Sequence, residues 1–141
     1  MKRLALAIML ALALGYTSAT AQTASLRGVW IGAYQYDDGR PEVKFQAKLN
    51  SEAGKLSGTT IEPNTFGNSS ALFLTANLRG ALGAGGRVSF TKTYDGTGGE
   101  AGSVQYAGAL DAARRCIKGK WSLDKQTTGA FEICTGALPT S

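Results

Sequence analysis

The chain has 141 residues, 15 of them Lys or Arg against 10 Asp or Glu, with 19 glycines, three prolines and no histidine. A chain of this length makes one domain, and the lack of histidine removes histidine triads, histidine general bases and most zinc sites. Short alternating runs between glycine-rich turns exclude a helical bundle or a disordered tail and indicate an all-β protein.

Met1-Lys2-Arg3 is a basic start, Leu4 to Leu14 is an apolar run, and Ala19-Thr20-Ala21 is a small-x-small cleavage site before Gln22. This is the pattern of an export signal. The apolar run is shorter than the roughly 20 residues of a membrane-spanning helix. No cysteine follows it and no twin arginine precedes it, which argues against a lipoprotein anchor or twin-arginine export. The expectation is a signal peptide over residues 1–21 and a single mature domain over 22–141, periplasmic or secreted, with removal of 21 residues leaving 120.

Eight alternating segments follow: Leu26 to Tyr36, Glu42 to Leu49, Leu56 to Glu62, Ala71 to Arg79, Arg87 to Tyr94, Ser103 to Leu110, Cys116 to Leu123 and Ala130 to Thr135. The connections, among them Asp37-Asp38-Gly39-Arg40-Pro41, Asn50 to Gly54, Gly80 to Gly86 and Asp95 to Gly102, are rich in turn residues and too short for a crossover helix. Short antiparallel connections throughout predict an eight-stranded antiparallel up-and-down (meander) β-barrel, because closure leaves no exposed strand edge.

Alternation also assigns faces. In the second segment Val43, Phe45, Ala47 and Leu49 share one face and Lys44, Gln46 and Lys48 the other. The same parity turns Trp30, Tyr34, Tyr36, Thr60, Glu62, Val88, Phe90, Lys92, Tyr94, Tyr106, Ile117, Trp121, Phe131 and Ile133 inward. Gly28, Gly32, Gly58, Gly108 and Gly119 share that inner face, where small residues either fill a barrel's taper or leave a cavity. A membrane barrel would need an apolar outer face. Here the outer positions Lys44, Gln46, Lys48, Lys118, Lys120 and Ser122 are polar, so a chain that does not span the membrane is expected.

A hairpin centred on Lys125-Gln126 sets Cys116 opposite Cys134, both outward by parity. In an oxidising compartment such a pair is expected to form a structural disulfide rather than a redox or metal pair, and no Cys-x-x-Cys spacing argues otherwise.

Gly28-Val29-Trp30, Leu56-Ser57-Gly58-Thr59-Thr60 and Ile117-Lys118-Gly119-Lys120-Trp121-Ser122-Leu123 resemble strands of the avidin family, within the calycin group of lipocalin-like barrels. The resemblance implies an eight-stranded barrel and an interior ligand pocket. It does not extend to the biotin-binding residue set. Gly32 stands where the family places a polar side chain, Thr60 replaces a tyrosine, and Gly129 lies near the place of a buried aspartate. Tyr106 takes the position of an inner tryptophan and Trp121 matches another. Without the hydrogen-bonding set a ureido ring would go unrecognised.

In a meander the loops 37–41, 63–70, 95–102 and 124–129 gather at one end. The inward residues nearest that mouth, Tyr34, Tyr36, Thr60, Glu62, Lys92, Tyr94 and Trp121, with Tyr106 also inward, are the candidate ligand site. The competing expectation is a closed core in which Glu62 and Lys92 pair or reach water at strand ends. Arg27, Lys48, Lys55, Arg79, Arg87, Arg114 and Arg115 fall toward the opposite end against Glu52 and Asp111, a basic rim suited to an anionic envelope surface or an acidic protein. The glycine-rich run Asp95-Gly96-Thr97-Gly98-Gly99-Glu100 lacks the lysine of a phosphate loop and the acidic spacing of a calcium loop. The sequence therefore leads to an exported, non-enzymatic binding protein for a small apolar or amphipathic ligand, without catalytic residues, metal, cofactor or nucleic-acid partner. The alternative is a barrel-shaped inhibitor or interaction module acting on an exported enzyme or envelope component.

Overall fold

Strict alternation of buried and exposed side chains, clearest in Val43-Lys44-Phe45-Gln46-Ala47-Lys48-Leu49, gives each strand one apolar face to bury. The structure is a computed structural model and describes residues 26–136. The export signal expected over 1–21 lies outside the described residues. Eight strands run in order: β1 (Gly28–Tyr36), β2 (Val43–Glu52), β3 (Lys55–Pro63), β4 (Phe73–Leu82), β5 (Arg87–Tyr94), β6 (Ser103–Asp111), β7 (Cys116–Ser122) and β8 (Thr128–Thr135). Each pairs antiparallel with the next, and β8 pairs with β1, so the sheet is a closed meander barrel. Closure satisfies the ladder of every strand and leaves no edge for another chain.

Two strands, β2 and β4, run three residues past the end that the alternation indicates. The β2–β3 connection is only Ala53-Gly54, because Glu52 still pairs with Lys55. Both turn residues have positive φ, 49° and 77°, the backbone twist that a two-residue hairpin requires. In β4 the residue expected to begin a loop, Gly80, instead sits inside the strand opposite Phe90, and the strand continues to Leu82. A Cβ at Gly80 would fall 2.0 Å from the Ser89 carbonyl oxygen, so that position is glycine for close approach rather than for a turn. The inward Gly32, Gly58, Gly108 and Gly119 behave alike: a Cβ on any of them would come within 2.4 Å of a carbonyl oxygen on the next strand. These glycines let neighbouring strands bend sharply across one another, which a narrow barrel demands, and they do not open a cavity.

The end at which β1 begins is packed solid. Leu26, Trp30, Leu49, Leu56, Leu82 and Ile117 fill it, and the Trp30 indole donates to the Leu26 carbonyl at 3.1 Å. Higher up, Phe90 stacks on Tyr106 at 4.7 Å between centroids, and Phe131 meets Tyr106 edge-on at 5.0 Å.

Cys116 and Cys134 are direct cross-strand partners with Cα atoms 4.0 Å apart, and they form a disulfide. The bridge closes a loop of sequence separation 18, for which chain entropy gives about 3 kcal/mol. Replacing both cysteines by serine is expected to lower unfolding free energy in urea by that amount, and intact mass of the wild type should show no free thiol. An unchanged urea midpoint in the double variant would contradict this.

Candidate functional site

The inner face changes character toward the end where β1 joins β2. Glu62 on β3 and Lys92 on β5 are both inward and almost wholly buried, and their charged groups meet at 2.7 Å. The Tyr94 hydroxyl donates to the same Glu62 oxygen that receives the lysine. The ammonium lies 5.1 Å from the centroid of the Tyr34 ring, 5.3 Å from Phe45 and 4.8 Å from Tyr94, a cation held among π-faces. Ala47, Thr60 and Ala76 are register partners on β2, β3 and β4, and these small side chains leave width for the long lysine.

Burial pushes the Lys92 ammonium below its ordinary range, and the Glu62 charge opposes that shift. The Tyr34, Tyr94 and Tyr106 hydroxyls are driven above theirs, first by burial and then by the Glu62 charge, so all three keep their protons across the physiological range. Three buried polar atoms have no hydrogen-bond partner among the described residues: Tyr34 Oη, Thr60 Oγ1 and the second oxygen of Glu62. Most buried polar atoms in folded proteins are paired, so these three are exceptions, and each is sealed from solvent.

A cavity of about 250 Å³ opens at this mouth. Tyr34, Tyr36, Phe66, Tyr94, Tyr106 and Trp121 wall it. Three of these rings stand nearly at right angles: Tyr36 to Trp121 at 89° and 5.1 Å, Tyr34 to Trp121 at 73° and 5.6 Å, Tyr34 to Tyr36 at 67° and 5.7 Å. Gly129 permits this corner. The Trp121 indole crosses over β8 to donate to the Gln35 carbonyl on β1 at 3.0 Å, and a Cβ on Gly129 would sit 2.6 Å from the indole nitrogen. Phe66 comes from the β3–β4 loop, which Asn64 pins by accepting from Gly67 N at 2.7 Å and donating to Ala71 O at 2.9 Å. Its ring meets Tyr94 edge-on at 5.5 Å.

Five of the eight expected ligand-site residues, Tyr34, Tyr36, Tyr94, Tyr106 and Trp121, line the cavity. Thr60, Glu62 and Lys92 do not; they lie behind Tyr34 and Tyr94, where the ion pair has consumed the charges. Alternation could not reveal the loop contributors Arg40, Phe66 and Glu100, which also line the cavity. Only Phe66, a lone aromatic in a polar loop, carried a signal. Strand order sets Arg27, Lys55, Arg87, Arg114 and Arg115 at or beside strand ends on the opposite, packed end, with Arg79 three residues short of the end of β4. None of these six forms an ion pair among the described residues.

No family model matches this chain, and no curated protein does. Among solved structures, a redesigned β-barrel matches with a TM-score of 0.64 at 14% identity, over 79% of this chain and 92% of that one. The likeness is one of fold. At that identity the two share a barrel architecture, which says nothing about a ligand. No helix among the described residues is long and apolar enough to cross a membrane.

Removing one member of a buried pair strands the other charge, at about 3–5 kcal/mol. Glu62→Gln and Lys92→Met are each expected to lose stability on that scale in urea, and the double variant to lose clearly less than their sum. Additive losses would show that the two side chains do not act as a pair.

Proposed function

We propose that this chain is a non-enzymatic binding protein that holds a small apolar or amphipathic ligand in the aromatic cavity at the barrel mouth. The observation that carries the reading is the contrast between the ends. One end is filled with apolar side chains, while the other keeps a cavity walled by six aromatic rings and edged by a few polar groups. Small-molecule sites combine apolar walls with sparse, placed polar atoms in this way. Arg40 and Glu100 supply such polar groups at the cavity edge. The strand motifs that resemble the avidin and calycin barrels support an interior pocket, although the chain lacks the biotin-recognising set. The disulfide fits an oxidising compartment, in keeping with export.

The reading is tested with 2-phenylethanol, an amphipathic probe, followed by Trp121 fluorescence in a Trp30→Phe background that leaves a single tryptophan. A saturable change is expected, weakened at least tenfold by Tyr36→Ala and unaffected by Arg114→Ala at the far end. A response that survives Tyr36→Ala would place the probe elsewhere.

A second reading, an interaction module or inhibitor, is favoured by Leu72 and Phe73, which are 78% and 50% exposed beside the mouth loops. Native mass spectrometry of protein from its own host separates the two, since a retained small molecule supports the first and a retained protein the second. The basic end gives an independent expectation. Flotation with anionic vesicles should weaken with Arg114→Ala/Arg115→Ala and with added salt, because exposed charges are screened beyond about 8 Å at physiological ionic strength. If neither change alters flotation, these cations form only a solvated rim.

A further inference from the structure

The mouth carries more chemistry than an apolar pocket needs. Tyr34, Tyr36 and Trp121 form three walls of a box, each near perpendicular to the others. Rings set at such angles around a cavity can present π-faces to it, and a π-face attracts positive charge. One of these rings, Tyr36, already carries a cation. The Arg40 guanidinium lies 3.8 Å from the centroid of the Tyr36 ring, while Arg40 itself lines the cavity and is held by Asp38 at 2.9 Å. The charge around the opening has the matching sign. Asp37, Asp38, Glu42, Asp95, Glu100 and Asp124 lie on the mouth loops or strand ends against Arg40 and Lys125, and Lys92 is cancelled by Glu62. Glu100 lines the cavity, and one of its oxygens accepts from the Ala101 and Gly102 amides, which fixes its carboxylate at the rim.

We propose that the mouth cavity is an aromatic box for an organic cation of the quaternary-ammonium type, and that Arg40 is an internal stand-in which the ligand displaces from the Tyr36 face. The inference rests on the small-molecule reading above and narrows it to a ligand class. A quaternary ammonium suits the box because it has no N–H to satisfy and is weakly hydrated. A primary ammonium would need three acceptors, and the aromatic walls offer few. Displacement of Arg40 is geometrically cheap, since Arg40 and Asp38 are both about half exposed, at 51% and 53%, and can remain paired in solvent.

The test compares choline with 3,3-dimethylbutan-1-ol, its neutral isostere, by isothermal titration calorimetry on the full mature chain. Choline is expected to bind at least tenfold tighter than the alcohol. Arg40→Ala should tighten choline severalfold and leave the alcohol unchanged, whereas Tyr36→Leu should weaken choline at least tenfold. Tyr36 is only half buried, and a thermal melt of Tyr36→Leu at the wild-type midpoint confirms that lost binding is not lost folding. Phosphatidylcholine vesicles in a flotation assay distinguish a lipid headgroup from free choline as the source of the cation. Equal binding of choline and the alcohol, or tighter binding of the alcohol, overturns the cation inference and leaves the small-molecule reading standing. Failure of both probes together with 2-phenylethanol overturns both.

Discussion

The arrangement of the mouth depends on one buried ion pair. Eight strands make a barrel whose interior is about wide enough for side chains alone, and over most of its length aliphatic and aromatic groups fill it. At the Glu62–Lys92 pair that rule is broken: two charges occupy a position where apolar side chains would pack. Their desolvation costs several kcal/mol per ion and is recovered only through close geometry and added hydrogen bonds. The Tyr94 hydroxyl and the rings of Tyr34 and Phe45 provide these. In return the pair backs Tyr34 and Tyr94, which are walls of the cavity. The polar layer thus orients the aromatic wall from behind, while the cavity in front remains free of Lys92 and Glu62.

Glycine placement is the second requirement for that wall. Trp121 reaches Gln35 only because Gly129 presents no side chain in its path. The indole is thereby held across β8, and the box gains its third face. Phe66 completes the enclosure from a loop whose shape is fixed by Asn64. The mouth is therefore assembled from strand residues anchored by the core and one loop residue anchored by its own hydrogen bonds. Arg27, Lys55, Arg87, Arg114 and Arg115, none of them in an ion pair among the described residues, gather at the other end, so the two ends of the barrel differ in charge balance.

Much of this was legible in the sequence because β-strand alternation has a period of two and the connections are short. Inward parity identified Trp30, Phe90, Tyr106 and Phe131, and the hairpin centre gave the partner of Cys116. The roles of individual glycines were not legible. Gly80 reads as the start of a turn, yet it is a strand residue pressed against the β5 backbone, and only interstrand distance distinguishes the two. The β2–β3 turn was likewise shorter than composition indicated, since Ser51 and Glu52 are polar turn formers that nevertheless hold their ladder partners. Arg40 and Glu100 were invisible as cavity residues because a loop side chain has no periodic pattern to say which way it faces. For Glu62 and Lys92, parity showed that both point inward and left pairing or escape to water as the two outcomes; the structure shows the pairing, and the choice between them depends on side-chain reach.

The central claim is that Lys92 is held as a paired ammonium inside the barrel, against the rings that form the cavity wall. Heteronuclear NMR of the lysine side-chain amino groups at neutral pH tests it most directly. The account expects one ammonium signal that exchanges slowly with water and shows through-space contacts to the ring protons of Tyr34, Phe45 and Tyr94, absent from Lys92→Met. Exposed lysines such as Lys44 and Lys118 should show neither property. A Lys92 signal that exchanges as fast as theirs, without ring contacts, would contradict the account.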